Sequence, residues 1–557
     1  MNKITDNDYY DLMVDNINLH LRGITSNVIN INERFSLLNI KTGDMGACAL
    51  GEYPYRLFPH LYTPTASVAA EASGVTTVQN NPYLNLYGRG VIIGVIDTGV
   101  DYRHPAFRYP DGSSRILSIW DQTVQEGPPP EGLLYGTEYS REQLNETLRL
   151  DDPLSVVPST DPYGHGTAIA SIIAGSPDSE NSFSGIAPEA GLVVVKLKEA
   201  KQNIKDLFFV PEDALCYQET DILFGMKYLV STSQKLKRPL VICIALGSNQ
   251  GVHDGLSATS DYSDYLARIN GISIAVSAGN EGNTRRHYFN FVDTEPFYHD
   301  FELKVGERDK GFSMEIWPYV AGRLSISIIS PDRENTGQIF PTLDGCQKFD
   351  FIFSSSTVWI NNITVEQETG NQLIVIRFQN PLPGIWRLRI QNTSNEFFSF
   401  HSWLPAGNLI SNETYFLNPD SNTTITSPGN GHSQLTVAAY NQFNRSLLPE
   451  SGRGYTKSGL VKPDIAAPGF ELPCALPDNR YGTVTGTGAA AAHASGVVAM
   501  VMEWAIDRGN YTAMTGNDIS TLLERGANRS TTDTYPNNRV GYGLLSIDGL
   551  FRRIANI

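Results

Sequence analysis

The chain has 557 residues, of which 41% are hydrophobic and 18% charged, and its formal net charge is −17. A single core seldom grows past about 250–300 residues, so we expect several domains. The negative charge argues against a nucleic acid or an anionic membrane surface as partner, because both attract Lys and Arg. Its simplest interpretation is solubility.

The opening stretch MNKITDNDYYDLMVDNI has no apolar segment typical of a secretory signal. No stretch of the sequence is expected to reach the roughly 18 apolar residues that are needed to cross a bilayer. No Asp-rich loop has the ligand spacing of a calcium site, and no cysteine pair has zinc-ligand spacing. The sequence therefore predicts a soluble protein with no membrane span, no metal and no other cofactor. The five scattered cysteines are expected to be reduced and mostly buried: Cys48, Cys216, Cys243, Cys346 and Cys474.

Residues 1–65 combine a polar start with short apolar runs such as RFSLLNI, and they end in the aromatic, proline-rich stretch YPYRLFPHLYTPTAS. Short apolar runs of this kind, followed by repeated prolines, predict a small α+β unit and then an extended linker.

Residues 66–290 have a different pattern. GRGVIIGVIDTGV is a continuous apolar run between glycines, which is typical of a strand buried on both faces. Similar runs follow in AGLVVVKL, RPLVICIALG and GISIAVSAGN, and helical patterns such as HGTAIASIIAG lie between them. Alternating buried strands and helices predict an α/β fold with a parallel sheet.

Residues 291–425 consist of short alternating segments such as RLSISIIS, QLIVIRFQNP and GIWRLRIQN, separated by Gly, Asn and Pro. This pattern predicts an antiparallel β-sandwich or jelly roll. Residues 426–557 return to buried-strand patterns such as SQLTVAAYN. The α/β domain is thus interrupted by an inserted β domain, which a surface loop tolerates because loop-closure entropy grows slowly with length.

Three polar residues stand next to predicted strands or helices. Asp97 closes a buried strand, where a site forms in open α/β sheets, although an Asp there also caps helices. His165 lies between two glycines at a helix start, where a purely structural role is the more common one. Asn280 lies in a glycine-rich loop, where it serves as a turn residue or donates its amide to a developing oxyanion.

Taken together, Asp97, His165 in GHGT, Asn280 in AGNEGN and the later GTGAAAAH resemble the layout of the subtilisin-like serine proteases, whose chain order is acid, histidine, nucleophile. SGIAPEAGLVVVKL, ALGSNQG and VKPDIAAPG resemble framework segments of that family. The resemblance covers about residues 85–290 and 426–557. It implies a subtilisin-like parallel sheet flanked by helices.

Within that family the chain is similar to the clostridial germination-specific Csp subtilases. The stretches that carry this similarity are YPYRLFPHLYTP, QNNPYLNLYGRGVIIG, RILSIWDQT and the inserted β domain. The resemblance implies that residues 1–65 are a prodomain bound in cis, that the β domain is a jelly roll and that the protein resides in the bacterial spore. Active members of the group cut the zymogen of a cortex hydrolase, and inactive members regulate the response to germinant.

The family motifs also assign roles. Asp97 would orient the imidazole, His165 would be the general base, and Asn280 would donate to the oxyanion. The edge of the groove that binds an extended polypeptide would be the strand formed by Ala245, Leu246 and Gly247.

The nucleophile's position is occupied by Gly488, because active subtilases have Gly-Thr-Ser-Met-Ala where this chain has GTGAA. The side chain of Thr487 would point about 100° away from that of position 488 around the helix axis. Thr485 lies before the turn, and Ser495 lies about two turns further on. None of these hydroxyls replaces the missing one, so the sequence predicts a catalytically impaired protein.

Three hypotheses remain open at this point. The first is a pseudoprotease that binds a protein partner or polypeptide in its groove and regulates germination. The second is an active endopeptidase whose natural chain has Ser at position 488. The third makes the β domain the functional part, which binds carbohydrate or a partner; its alternative is a rigid brace, and a surface aromatic cluster would favour binding.

Overall fold

The computed structural model describes residues 3–17, 19, 28–46, 50, 53–64, 73–295, 297–319, 322–343, 345–394 and 396–555. Its centre is an eight-stranded sheet, with strand order β24-β23-β12-β10-β5-β8-β6-β7. Neighbouring strands are parallel except β7, which is antiparallel to β6 at one edge. The predicted α/β class is confirmed, with a mixed rather than purely parallel sheet. The strands are β5 (Ile92–Asp97), β6 (Ile116–Asp121), β7 (Thr137–Ser140), β8 (Gly191–Lys196), β10 (Leu240–Ile244), β12 (Ile272–Ser277), β23 (Leu435–Tyr440) and β24 (Ile465–Pro468).

Helices flank this sheet. Most sheet residues are buried on both faces, which explains the unbroken apolar runs in the sequence. The described helices are α1 (Val75–Gln79), α2 (Arg141–Thr147), α3 (His165–Ala174), α4 (Gln202–Phe208), α5 (Glu219–Leu236), α6 (Ala258–Leu266), α7 (Thr487–Met502), α8 (Gly516–Gly526) and α9 (Ile547–Ala555).

Helix α7 packs on the sheet against β12 and β23, and every one of its residues is buried. Its alanine run favours a helix and lets the backbone approach the strands closely. With the turn that follows, the helical stretch Thr487–Asp507 is long and apolar enough to cross a membrane, but 89% of its most apolar window is buried inside the protein. The expectation that no stretch reaches this length was therefore wrong, and the helix is explained by its place in the core.

The segment from residue 287 to 416 forms two further antiparallel sheets, which we call the β unit. One sheet has the order β13-β21-β15-β19-β18-β17, and the other has the order β16-β20-β14-β22. Apolar side chains of both sheets form one shared core. The strands are β13 (His287–Val292), β14 (Tyr298–Val305), β15 (Gly311–Pro318), β16 (Leu324–Ile329), β17 (Gln347–Asp350), β18 (Thr357–Ile363), β19 (Leu373–Gln379), β20 (Gly384–Asn392), β21 (Phe398–Trp403) and β22 (Tyr415–Phe416).

The described residues before position 65, which we call the N-terminal unit, contain the sheet β1-β3-β2 and the short strand β4. The sheet is held against α4–α6 by polar contacts, among them Arg34 with Asp261 and Asn203 with the Tyr9 carbonyl. The strands are β1 (Tyr9–Asp15), β2 (Val28–Asn30), β3 (Phe35–Lys41) and β4 (Leu61–Pro64). The predicted boundary at residue 65 lies outside the described residues.

The cysteines differ from the sequence-based expectation at one position. Cys216, Cys243 and Cys474 are buried free thiols, and burial raises the pKa of each to about 12. Cys346 is disulfide-bonded, so the expectation of a reduced thiol is wrong there. Cys48 lies outside the described residues.

A pair of histidines is buried where β13 and β21 meet. His287 Nε2 lies 2.9 Å from His401 Nδ1, and His287 Nδ1 lies 3.1 Å from the Asp420 carbonyl oxygen. Both side chains are buried, and Trp403 stacks on both. Two neutral rings satisfy this geometry, with His401 donating to His287 and His287 donating to the carbonyl. A second proton would bring two N–H groups face to face.

We expect acid to destabilise the protein through this pair. Burial lowers the pKa of His287 to about 3 and of His401 to about 2, against 6.5 in the unfolded chain. The stabilisation is therefore complete above pH 6.5 and is lost as the pH falls towards these values. At pH 5, which is 1.5 units below the pKa in the unfolded chain, each ring should lower the free energy of unfolding by about 2 kcal/mol, because one pKa unit corresponds to 1.36 kcal/mol. Melting temperatures between pH 7 and pH 4 will test this. An unchanged slope in His401→Gln would contradict it.

Candidate active site

Two polar side chains meet at the carboxyl end of the central sheet. Asp97 is the last residue of β5 and is fully buried, and His165 is the first residue of α3. Gly164 precedes the helix with φ +76°, a left-handed conformation that glycine adopts without strain. This turn brings His165 Nδ1 to 2.7 Å from Asp97 Oδ1. Ring and carboxylate therefore form the pair that fixes an imidazole's orientation.

The surroundings of this pair favour a charged imidazole. Burial lowers the pKa of His165, but the charge and hydrogen bond of Asp97, together with the charge of Asp161, outweigh it and raise the pKa above its usual value. Such an imidazole accepts a proton readily, which is the property a general base needs.

Asp161 organises the same turn, and the sequence analysis missed it. Its buried carboxylate accepts hydrogen bonds from the Thr98 hydroxyl, the Gly164 amide and both the amide and hydroxyl of Thr167. Since Thr98 Oγ1 in turn accepts from the Gly166 amide, the turn around His165 is held from both sides. In the sequence, the one feature that could have indicated this role is the position of Asp161, four residues before His165.

Two polar atoms of the pair remain without a hydrogen-bond partner among the described residues. They are His165 Nε2 and Asp97 Oδ2, and both are buried. In a serine protease of this kind the Nε2 atom accepts the hydroxyl proton of the nucleophile. The unpartnered Nε2 is therefore the atom that the hydroxyl of a nucleophile would contact.

Three hydroxyls near position 488 in the sequence are bonded elsewhere in the described structure. Gly488 is the second residue of α7, and it has no side chain to react. The Thr487 hydroxyl donates to Asn280 Oδ1 at 2.9 Å. Thr485 Oγ1 accepts from the Glu471 amide, and the Ser495 hydroxyl donates to the Ala491 carbonyl. Each candidate substitute is thus bonded elsewhere.

Another Ser–His pair lies deeper in the protein. Ser73 Oγ is 2.5 Å from His493 Nε2, and both residues are fully buried. Burial lowers the pKa of His493 to about 3, and its Nδ1 has no partner among the described residues. Without a carboxylate on Nδ1 and without access for a substrate, this pair is structural.

Asn280 lies beside the start of α7. Its Oδ1 accepts hydrogen bonds from the Thr487 amide at 3.1 Å and from the Thr487 hydroxyl. Because the oxygen accepts both, the amide nitrogen Nδ2 is left to face the opposite direction as a donor. A fixed donor of this kind is what an oxyanion requires.

Strand β4 of the N-terminal unit lies in the groove next to these residues. It forms a three-stranded sheet with β11 (Leu246–Gly247) on one side and β9 (Tyr217–Gln218) on the other. The register pairs Leu246 with Pro64 and Gly247 with Thr63, both antiparallel. Ala245 directly precedes β11. The predicted substrate-binding edge is therefore occupied by the chain's own segment.

A cavity of about 770 Å³ opens beside the end of β4. Gly247, Asn280 and the buried pair Glu281–Arg286 form part of its lining. The β unit contributes further lining residues, among them Arg308, Asp309, 406–408 and 410–413. A polypeptide bound along β11 would thus extend between the central sheet and the β unit.

Comparison with known proteins agrees with this geometry. A model of the subtilase family, peptidase S8, matches residues 88–299 and 403–543. The chain belongs to the subtilase family. The stretch that separates the two matched parts of this subtilase, residues 300–402, falls within the β unit.

Individual proteins and solved structures are also similar to this subtilase. The structure of the Clostridium perfringens CspB protease superposes with a TM-score of 0.78 at 29% identity, and the match covers 87% of this chain and 98% of that one. C5a peptidase of Streptococcus pyogenes is 23% identical over 484 residues, 82% of this chain. The match spans 38% of the length of that relative. Thermitase of Thermoactinomyces vulgaris is 23% identical over 223 residues, which is 40% of this chain and 57% of thermitase.

Proposed function

We propose that this subtilase is a pseudoprotease that acts by binding polypeptide rather than by cutting it, in the regulation of spore germination. The observation that carries the proposal is the combination of Gly488 with an unpartnered, buried His165 Nε2. The general base is positioned by Asp97 but has no hydroxyl to deprotonate. The germination role is supported by the sequence similarity to the Csp group and by the likeness to the CspB protease.

The groove supports a binding role. Strand β4 shows that an extended segment fits between β9 and β11, with Asn280 and the adjacent cavity beyond its end. Subtilase prodomains are removed by the enzyme's own serine. In the absence of that serine, residues 1–65 should stay attached and act as a bound prodomain in cis.

A second candidate function is a serine endopeptidase whose natural chain has Ser at position 488 and which activates a cortex-hydrolase zymogen. It is favoured by the 2.7 Å contact between His165 and Asp97 and by the orientation of Asn280, because both would serve catalysis. In this case Gly488 is the single inactivating difference.

Intact mass under reducing conditions and N-terminal sequence of the purified chain test the proposal, and Gly488→Ser is the matched variant. We expect the given chain to keep its full length and the serine variant to lose its first 60–65 or so residues, since subtilases cut their own prodomain. A new N-terminus near residue 66 in the given chain, without added protease, would overturn the pseudoprotease. Full length in both chains would show that the rest of the site no longer supports catalysis.

A further inference from the structure

The β unit carries a cluster of aromatic rings at one margin, which we call the aromatic edge: the half-buried Phe289 and the exposed Phe291 and Phe397. The rings of Phe291 and Phe397 stack with centroids 5.3 Å apart, and Phe289 contacts Phe291 at 5.2 Å. Phe291 is 49% exposed and Phe397 is 58% exposed. Contiguous exposed apolar side chains on a soluble protein commonly mark a binding surface.

The strand that carries these rings has a free side. β13 is the terminal strand of its sheet, with β21 as its neighbour. The Arg286 carbonyl accepts from the Leu404 amide on the β21 side, whereas the His287 carbonyl accepts from the Asp420 amide. Backbone groups alternate along a strand, so those of Phe289 and Phe291 face away from β21. No described strand pairs with them there.

Edge strands of soluble proteins are usually protected by Lys, Pro or a bulge. β13, with the sequence HYFNFV, has none of these charged or proline residues. It instead combines exposed phenylalanines with backbone groups that have no partner among the described residues: the Phe289 amide and carbonyl and the Phe291 carbonyl. These are the two elements that a peptide uses when it adds a strand to a sheet. The Phe291 amide donates to the side-chain oxygen Oδ1 of its neighbour Asn290, a bond within the strand that an incoming segment would replace.

Acidic side chains predominate around the aromatic edge, and the exposed Arg323, whose carbonyl accepts from the Thr393 amide, is a basic residue beside them. Asp293, Glu295 and Glu396 are exposed next to it, and neither 287–297 nor 393–403 contains a Lys or Arg. The backbone carbonyls of Asp293 and Glu396 both accept from the side-chain nitrogen Nδ2 of Asn392, which brings their two loops together. A positively charged partner therefore complements this surface, whereas a second copy of the chain would bring like charges together.

We propose that the aromatic edge binds a positively charged polypeptide segment in an extended conformation. The segment pairs with the free side of β13, packs apolar side chains on Phe289, Phe291 and Phe397, and places Lys or Arg against the acidic rim. This binding site is separate from the groove and does not depend on the state of position 488.

The test uses the full chain and a fluorescein-labelled peptide of nine alternating Lys and Val residues, with fluorescence anisotropy as the readout. We expect saturable binding that Phe291→Thr or Phe397→Thr weakens about tenfold each, as for a central aromatic contact. Asp293→Asn with Glu396→Gln should weaken binding and reduce its salt dependence. Phe443→Thr removes an exposed ring outside the β unit and is the matched control.

Two further measurements do not depend on the variants. A peptide methylated on alternate backbone nitrogens should bind at least about tenfold more weakly, because it cannot pair with β13. Hydrogen exchange at the Phe289 amide, which has no partner among the described residues, should slow on binding. The proposal is overturned by no binding, by equal affinity for the Phe291→Thr variant, or by a concentration-dependent dimer that Phe291→Thr abolishes.

Discussion

Gly488→Ser is expected to raise the turnover of a peptide substrate by about 10⁶-fold, because loss of the subtilisin nucleophile lowers kcat by about 2 × 10⁶. The restored hydroxyl would donate to His165 Nε2, which has no other partner among the described residues. Turnover should be measured with a chromogenic peptide after the N-terminal unit has been released, so that β4 does not compete.

The controls for this prediction separate the restored triad from contamination. Adding His165→Ala to the serine variant should return turnover to the level of the given chain, because the hydroxyl then has no base. Thr487→Ser in the given chain should remain inactive, since that hydroxyl donates to Asn280. Comparable turnover of the given chain and the Gly488→Ser variant would refute the role of Gly488.

Asp11→Ala is expected to weaken the docking of the N-terminal unit by about 3–5 kcal/mol, the cost of leaving a buried charge unpaired. Asp11 lies 2.8 Å from Lys201 Nζ, and both are buried. Burial raises the pKa of Asp11 and lowers that of Lys201, although each charge opposes this effect on the other. Hydrogen exchange of the β1 and β3 amides, together with the melting temperature, will measure the effect.

The energetics of this pair suggest two comparisons. Asp350→Ala removes an exposed pair with Lys348, and it should change stability by less than about 1 kcal/mol. The double change Asp11→Leu with Lys201→Met should recover part of the loss, because well-packed apolar residues avoid the desolvation cost of a buried pair. Recovery is incomplete because Asn39 then loses its bond to Asp11 and the Tyr9 carbonyl loses its bond from Lys201. Unchanged hydrogen exchange of the β1 and β3 amides in Asp11→Ala would show that the pair with Lys201 does not stabilise the docking of the N-terminal unit.

The sequence predicted the central fold well because buried parallel strands leave a strong local pattern. The stretch GVIIGVIDTGV contains β5, and Ile96, the last apolar residue of that strand, is followed directly by Asp97. The predicted subtilase family is confirmed by the match to residues 88–299 and 403–543. These features depend on residues close together in the chain, where periodicity and motif spacing are informative.

Features that depend on distant pairing could not be found in this way. The position of β4 between β9 and β11 joins residues about 155 and 185 positions apart, and no local pattern encodes that register. Asp161 looked like an ordinary loop acid because its four hydrogen bonds form only when the turn closes. The disulfide at Cys346 was missed for the same reason.

Because β4 occupies the groove, any free polypeptide that binds there must compete with this attached segment. A segment tethered to its own site acts at an effective concentration in the millimolar range when the connection is short and flexible. A free polypeptide present at about 1 μM would then need roughly 1,000-fold higher intrinsic affinity to occupy half of the grooves. Any partner for this groove must therefore bind unusually tightly, arrive at high local concentration, or first release β4.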